Sequence, residues 1–358
     1  MRVLISGARA PVALELLRIF SDSCHEVDIA DSCSYPVARF SRRARKYYRI
    51  PSPRFHYPEF KAAILLLHSK RRYDLIIPTC DEVFYFSKLK KEENLAAIFC
   101  DDLDKITALN NKWSLAQMAQ DWPIKTPASF LLNSKEDWVR QGLSPEHFDL
   151  QPVSSNLGDR RWIAQEHIQG QEISVYAVCV HGNLKAFSAY KPRYHAGNGP
   201  RIFLEPHFDP KLFDFCSDFA KRTMYHGQVS FDFVFETESS THWLLTCNPH
   251  SASGLHFFDQ RLSYYIFDTA PGVLKPACHE PKMIASAMIT YGLPRSVRPE
   301  VWRKFFRDFR QAGDIVWNRR DPLPALGQYL AASTFLLKGL FFGVSARSAS
   351  TRDIEFES

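Results

Sequence analysis

The eight cysteines, at positions 24, 33, 80, 100, 179, 216, 247 and 278, include no C-x-x-C pair, which argues against both a zinc site and a disulfide framework. Reduced thiols suit a cytoplasmic protein. The opening Met-Arg-Val-Leu-Ile-Ser-Gly-Ala-Arg has neither the apolar core nor the small-residue cleavage site of a secretory leader. The chain has no Gly-x-x-x-x-Gly-Lys-Ser/Thr loop and no Gly-x-Ser-x-Gly elbow, so P-loop and α/β-hydrolase chemistry are set aside. His279-Glu280 lacks the second histidine of a zinc-protease helix. At the first turn only Gly7 is present where a dinucleotide-binding loop would carry three glycines, which leaves a dehydrogenase little support. Cys80 and Cys247, isolated as they are, read as small core residues rather than nucleophiles.

A length of 358 residues accommodates two or three units without a covalent staple, and 45% hydrophobic with 23% charged residues is ordinary for a globular protein. The net charge of +6 is modest, and the basic residues are scattered except for Arg39 to Arg49. That cluster reads as a solvated helix or loop face, with no nucleic-acid partner implied. Leu323 to Val344 is nearly long enough to cross a bilayer, but Pro324, the late glycines and Lys338 argue against a span. The expectation is a buried or amphipathic C-terminal helix, with interfacial membrane contact as its alternative.

Apolar periodicity places a strand at 2–6, a helix from Pro11 to Phe20 and a strand from Glu26 to Ala30, followed by a helix near 60–69 and a strand at 73–78. Alternation of this kind predicts a parallel sheet with helices on both faces. Further along, helices are expected through Asn111 to Ala119 and Lys211 to Thr223, with strands at 128–132, 162–166, 173–181 and 184–190. After Leu262 the pattern turns to helices at 282–291, 298–312 and 323–343, separated by prolines.

The chemistry concentrates in two segments, Gly227 to Glu236 and Leu244 to Gly254, which read as a pair of strands across a turn-rich gap. Residues two apart share a face, which puts Asp232 with Glu236 on one strand and Thr246 with Asn248 on the next. A carboxylate set against an amide oxygen offers the hard donors that Mg²⁺ accepts while it holds a nucleotide's phosphates, so Asp232, Asn248 and Glu236 are candidate metal ligands. A loop from Lys191 to Arg201 combines three cations with two glycines. Guanidinium forks suit carboxylate or phosphate, which makes Arg193 and Arg201 candidates for holding an acidic substrate or the transferring phosphoryl group. His250 and His256 follow Asn248 closely; they read either as help for a metal or base, or as plain turn residues.

The strand pair resembles the metal-binding end of the ATP-grasp superfamily, where an acidic residue on one strand faces a Glu-x-Asn pair on the next and the run continues Pro-Arg and a Ser-Gly turn. Asp232, Asn248, Pro249, Ser253 and Gly254 match; Thr246 replaces the bridging glutamate and His250 the arginine. Asn111-Lys112 resembles the helix that opens the family's nucleotide region, which implies that Lys112 reaches the α-phosphate. Gln151 holds the place of a second phosphate-contacting lysine, and the short connection from Pro152 to Trp162 implies that part of the family's lid is missing. Gln165-Glu166-His167-Ile168 resembles the linker that contacts the adenine edge, and Glu172 the residue that accepts from the ribose hydroxyls. Gly7 to Pro11 and Pro78 to Glu82 are similar to the opening unit of ATP-grasp proteins of the carbamoyl-phosphate-synthase and biotin-carboxylase kind.

The resemblance implies an α/β fold with a Rossmann-like first unit (1–104), a two-lobed α+β ATP-grasp unit (105–270) and a helical C-terminal extension (271–358). It also implies ATP and Mg²⁺ as cofactors, and an ATP-dependent ligase that joins a small-molecule carboxylate to an amine or other nucleophile through an acylphosphate. Because Gln151 and Thr246 lack the charge of the family residues, a weakened activity is expected. A non-catalytic nucleotide- or metabolite-binding relative is the alternative.

Overall fold

The computed structural model describes residues 1–134, 137–140, 143–144, 147–152, 161–197, 199–294 and 298–356. The connection at 153–160, where a shortened lid is expected, lies outside them.

Strands β1 (Arg2–Ser6), β2 (Glu26–Asp31), β3 (Lys46–Arg49) and β4 (Leu75–Ile77) form a parallel sheet ordered β3-β2-β1-β4. Val3, Leu4 and Ile5 are all buried, as a strand covered on both faces requires. Helix Pro11–Asp22 starts on proline, where no N–H is needed, and buries Leu14, Leu17 and Phe20. The turn before it depends on Gly7 (φ +69°), where a Cβ would stand 2.3 Å from Thr79 Oγ1 and 2.5 Å from Glu82 Oε1. Glu82 in turn accepts from Ser6 Oγ at 2.8 Å and from the Thr79 N–H at 3.1 Å, so the 7–11 and 78–82 segments form one buried junction. Burial pushes the Glu82 carboxyl above its ordinary range.

One expectation changes here. The basic run at 39–49 is not simply a solvated helix or loop face, because Lys46–Arg49 adds strand β3 to the sheet and half-buries Tyr47 and Tyr48. Arg45 pairs with buried Asp28 at 2.7 Å. Arg9 of the first turn is engaged structurally: its guanidinium is buried between Asp31 and Asp353, with Nη1 2.6 Å from Asp353 Oδ1. Asp31 ends β2, where an acidic residue would meet the ribose of a dinucleotide, and Arg9 already fills it.

The central sheet has seven strands in the order β12-β11-β8-β9-β10-β13-β14. They are β8 (Gln171–Val180), β9 (Asn183–His195), β10 (Arg201–His207), β11 (Gly227–Glu236), β12 (Thr241–Asn248), β13 (Lys282–Met283) and β14 (Gly313–Asp314). A separate antiparallel sheet is ordered β5-β7-β6, from β5 (Ser129–Leu132), β6 (Phe148–Pro152) and β7 (Trp162–Glu166). Helix Pro210–Thr223 covers the central sheet, and Phe219 meets Phe231 edge-on at 4.9 Å between centroids. The expected loop from Lys191 to Arg201 is shorter than that, since β9 runs to His195 and β10 begins at Arg201.

The C-terminal region is mostly helical, with helices Ala285–Tyr291, Pro299–Gln311, Leu323–Phe342 and Ala346–Thr351, and it also supplies β13 and β14 to the central sheet. Its last residues return to the first unit: besides the Arg9–Asp353 pair, Phe356 stacks on Phe84 with centroids 4.9 Å apart.

Candidate functional site

A cavity of about 840 Å³ lies where the three parts of the chain meet. Its wall takes Ala10 to Val12 and Thr79 from the first unit, Glu172, His195, Arg201 and Asp232 from the central sheet, Asn248 with the turn after it, and Arg347 from the C-terminal region. The alternation of β11 is the cause of one face of this wall. Phe231 and Phe233 are buried in the core under helix Pro210–Thr223, so Ser230 and Asp232 turn to the opposite side and line the cavity.

Asp232 is the hub. Its Oδ1 accepts from Ser174 Oγ at 2.7 Å and from Arg201 Nη1 at 2.7 Å, and its Oδ2 accepts from Thr246 Oγ1 at 2.9 Å. Arg201 reaches on to Glu172, whose Oε2 takes Nε at 3.3 Å and faces His195 Nε2 at the same distance. The result is a row, His195–Glu172–Arg201–Asp232, along one wall, with the Arg201 guanidinium between two carboxylates. In the register of β11 and β12, Asp232 stands opposite Thr246 and Asn248 opposite Ser230. The hairpin therefore brings two of the three expected ligands, Asp232 and Asn248, to the cavity, although two residues apart in register rather than face to face.

Other predicted residues fall elsewhere. Glu236 does not join Asp232: it sits at the hairpin turn, where its carboxylate accepts from Ser239 Oγ and from Trp243 Nε1 at 3.2 Å. Shared strand parity was not enough, because four residues of strand and a register irregularity after Asp232 carry Glu236 away from the cavity. Arg193 is likewise structural. Its guanidinium bonds buried Asp308 at 2.8 Å and Glu205 at 2.7 Å and lies over the Phe203 ring, fastening helix Pro299–Gln311 to β9.

Lys112, at the start of helix Lys112–Met118, does not line the cavity, yet its ammonium feels both Asp149 and Asp232. Burial lowers its pKa and the two carboxylates oppose that. Gln151 lies on β6 opposite Ile163, and Gln165 is buried on β7 between Ser129 and Asp149. The N–H groups of Glu166 and His167 already donate to Ala128 O at 2.8 Å and His147 O at 2.7 Å, so they are not free for an adenine edge, and Ile168 follows them. Glu166 also accepts from the Ala128 N–H through its carboxylate.

The sequence reading missed His195, Thr79 and Arg347: the first two lie in the 191–201 and 78–82 segments that it marked for other residues, nothing marks the third, and only the fold gathers them. His250 pairs loosely with Asp81, Nε2 to Oδ1 at 3.6 Å. His256 is buried at the cavity edge with Nδ1 3.3 Å from Glu15. Among the described residues no cluster of three or more His, Cys, Asp or Glu side chains is arranged to hold a metal ion.

No family model matches the chain, and no curated protein matches it. Solved structures do. N5-carboxyaminoimidazole synthetase from Staphylococcus aureus superposes with a TM-score of 0.62 at 10% identity, over 80% of this chain and 83% of that one. The ADP complex of PurK, N5-carboxyaminoimidazole ribonucleotide synthetase, gives 0.62 at 9% identity over 86% and 96%. L-amino acid ligase from Bacillus licheniformis gives 0.53 at 11% identity over 74% and 69%. With a parallel first sheet, a largely antiparallel central sheet and a cleft between them, the chain has the fold of the ATP-grasp superfamily.

Proposed function

We propose that the chain is an ATP-dependent ligase that activates a small-molecule carboxylate as an acylphosphate and passes the acyl group to an amine or another nucleophile. The observation that carries this reading is the convergence of Asp232, Asn248, Arg201 and Glu172 on one cavity in a fold shared with ATP-dependent ligases. In such a reaction a carboxylate oxygen attacks the γ-phosphorus and ADP leaves. The nucleophile then attacks the acyl carbon, phosphate departs with the bonding pair, and the nucleophile gives up its proton. The protein's part is alignment and neutralisation of charge.

Asp232 and Asn248 supply hard oxygen donors, and Mg²⁺ commonly takes only one or two carboxylates besides water and substrate phosphates, so this donor set fits a metal that arrives with its nucleotide. Bound there, Mg²⁺ would supply charge for the phosphoryl oxygens. Arg201 has an Nη2 without a partner among the described residues and faces the cavity, which suits it to hold the substrate carboxylate or the phosphoryl group. Lys112 and Gln151 are assigned to the phosphates, Glu172 to the ribose hydroxyls, and the linker Gln165 to Ile168 to the adenine side through backbone groups other than the engaged N–H groups of Glu166 and His167. We assign residues 1–104, 105–270 and 271–358 to the three units. The eight free thiols support a cytoplasmic setting.

One observation favours the non-catalytic alternative: Asp232 is closed by Arg201, and Thr246 donates to it where a second carboxylate would help bind metal. Calorimetry of ATP binding with and without Mg²⁺, then a phosphate-release screen over amino acids and small carboxylates, separates the two. Mg²⁺-dependent binding abolished by Asp232→Ala, together with turnover, supports the ligase. Binding without turnover supports the alternative, and binding of NAD(H) in place of ATP defeats both.

A further inference from the structure

Helix Leu323–Phe342 is packed inside out. Its buried positions are Pro324, Gly327, Ala331 and Gly339, while Leu326, Leu337, Leu340 and Phe341 are 69%, 66%, 80% and 84% exposed. The small residues are required beneath it: at Gly327 a Cβ would stand 2.1 Å from the Phe40 ring. A surface helix of a globular protein ordinarily turns its large apolar side chains inward. Here they form one continuous outward face, with Tyr329 and Leu336 also exposed, rather than scattered surface residues. The helix is long and apolar enough to cross a membrane, and only 17% of its most apolar window is buried.

It is nevertheless fastened along its length to the folded body. Gln328 Oε1 accepts from Ser286 Oγ at 2.8 Å, and the chain beyond it returns through helix Ala346–Thr351 to the Arg9–Asp353 pair. A helix held in this way lies on a surface instead of threading a bilayer.

Charge identifies the surface. From Arg319 to Phe356 the chain carries Arg319, Arg320, Lys338, Arg347 and Arg352 and three acids, Asp321, Asp353 and Glu355. Asp321 is buried against Arg18 at 3.3 Å, Asp353 is held by Arg9 at 2.6 Å and Glu355 by Arg54 at 2.9 Å, so all three acids are already paired and the excess charge beside the apolar face is positive. A second copy seated on this face across a two-fold axis would bring like charges together with no unpaired acid of this segment to match them. Lipid phosphates supply the matching sign.

We propose that this face docks on an anionic lipid surface, with Leu326, Leu337, Leu340 and Phe341 entering the acyl boundary and Arg319, Arg320 and Arg352 meeting the headgroups. The experiment is vesicle flotation of the full chain with phosphatidylcholine alone and with phosphatidylcholine and phosphatidylglycerol at roughly three to one, alongside light scattering for mass. The expected result is binding to the mixed vesicles that weakens on the order of tenfold without phosphatidylglycerol or in about 0.5 M salt. The variant Leu337→Asp/Leu340→Asp/Phe341→Asp should bind roughly 100-fold more weakly. It alters only exposed side chains, and an unchanged thermal melt checks its fold. The milder Arg319→Gln/Arg320→Gln should lose part of the binding and most of the salt dependence. No flotation with mixed vesicles, equal flotation with neutral ones, or a dimer that the triple variant dissolves would each overturn the proposal.

Discussion

If Mg²⁺ binds at Asp232 as proposed, it must compete with Arg201 for that carboxylate, and Arg201→Met turns the competition into a measurement that needs no turnover. The Arg201 and Asp232 side chains are 26% and 20% exposed and 2.7 Å apart. Breaking a fully buried pair costs about 3–5 kcal/mol and an exposed one about 0–1, so this half-buried pair should be worth about 2 kcal/mol. In the variant Asp232 keeps the hydroxyls of Ser174 and Thr246 but loses its cation, leaving a carboxylate that Mg²⁺ can occupy. A ligand that binds only the folded chain, at ten times its Kd, adds about 1.4 kcal/mol. Urea unfolding is the assay, in chelator and in Mg²⁺ at matched ionic strength. We expect Arg201→Met to be about 2 kcal/mol less stable in chelator and to regain most of that in Mg²⁺. The wild type should gain little, and Asp232→Asn added to the variant should abolish the recovery. Equal Mg²⁺ shifts in wild type and Arg201→Met would refute the reasoning, since Asp232 would then not be where the metal binds.

Gly7→Ala should destabilise the chain by about 2–4 kcal/mol in the same urea assay, because the new Cβ meets Thr79 and Glu82 at a positive φ. Arg193→Ala should cost about 2–3 kcal/mol by leaving buried Asp308 without its cation, yet leave the ATP dissociation constant within about twofold; a large loss of ATP affinity would return Arg193 to the site. His226 supplies a pH test. Burial, then the nearby His181, Lys90 and Lys105, lower its pKa from 6.5 to about 4 against the weaker pull of Asp268. Between those values the unfolded chain takes up a proton that the folded chain refuses, so stability is full above pH 6.5 and falls as the pH drops toward 4. The half-buried ring should account for about 2 kcal/mol of that fall, and His226→Gln should remove this part of the slope.

What could be seen in the sequence follows the reach of local patterns. The β-α-β opening and the hairpin from Gly227 to Asn248 have continuous apolar periodicity, and both are present. Strand β3 was hidden because Lys46 and Arg49 are exposed and only Tyr47 and Tyr48 pack. Strand parity correctly turned Asp232 away from Phe231 and Phe233, but parity says nothing of distance along a strand, and Glu236 fell outside the cavity for that reason. The two arginines of the 191–201 segment were indistinguishable by type. Their partners decide: Arg193 meets Asp308, more than a hundred residues downstream, whereas Arg201 meets Asp232 across the sheet. No single-strand pattern carries that information.

The same limit explains Arg347, whose position links the cavity to the apolar C-terminal helix. It follows the left-handed cap Gly343 at the end of the apolar helix, and its guanidinium lies so close to the β9–β10 hairpin that a Cβ on Gly199 would stand 2.8 Å from Nη1. Gly199 is two residues before Arg201. The helix that follows the exposed apolar face, Ala346–Thr351, is thus in contact with the segment that carries the arginine on Asp232. Seating that helix on a surface would restrict Arg347, Gly199 and the start of β10 together, so the face and the cavity share a physical connection of a few packed residues. If so, mixed vesicles should alter the Mg²⁺ response of Arg201→Met, while leaving unchanged the response of the triple aspartate variant carrying the same Arg201→Met substitution.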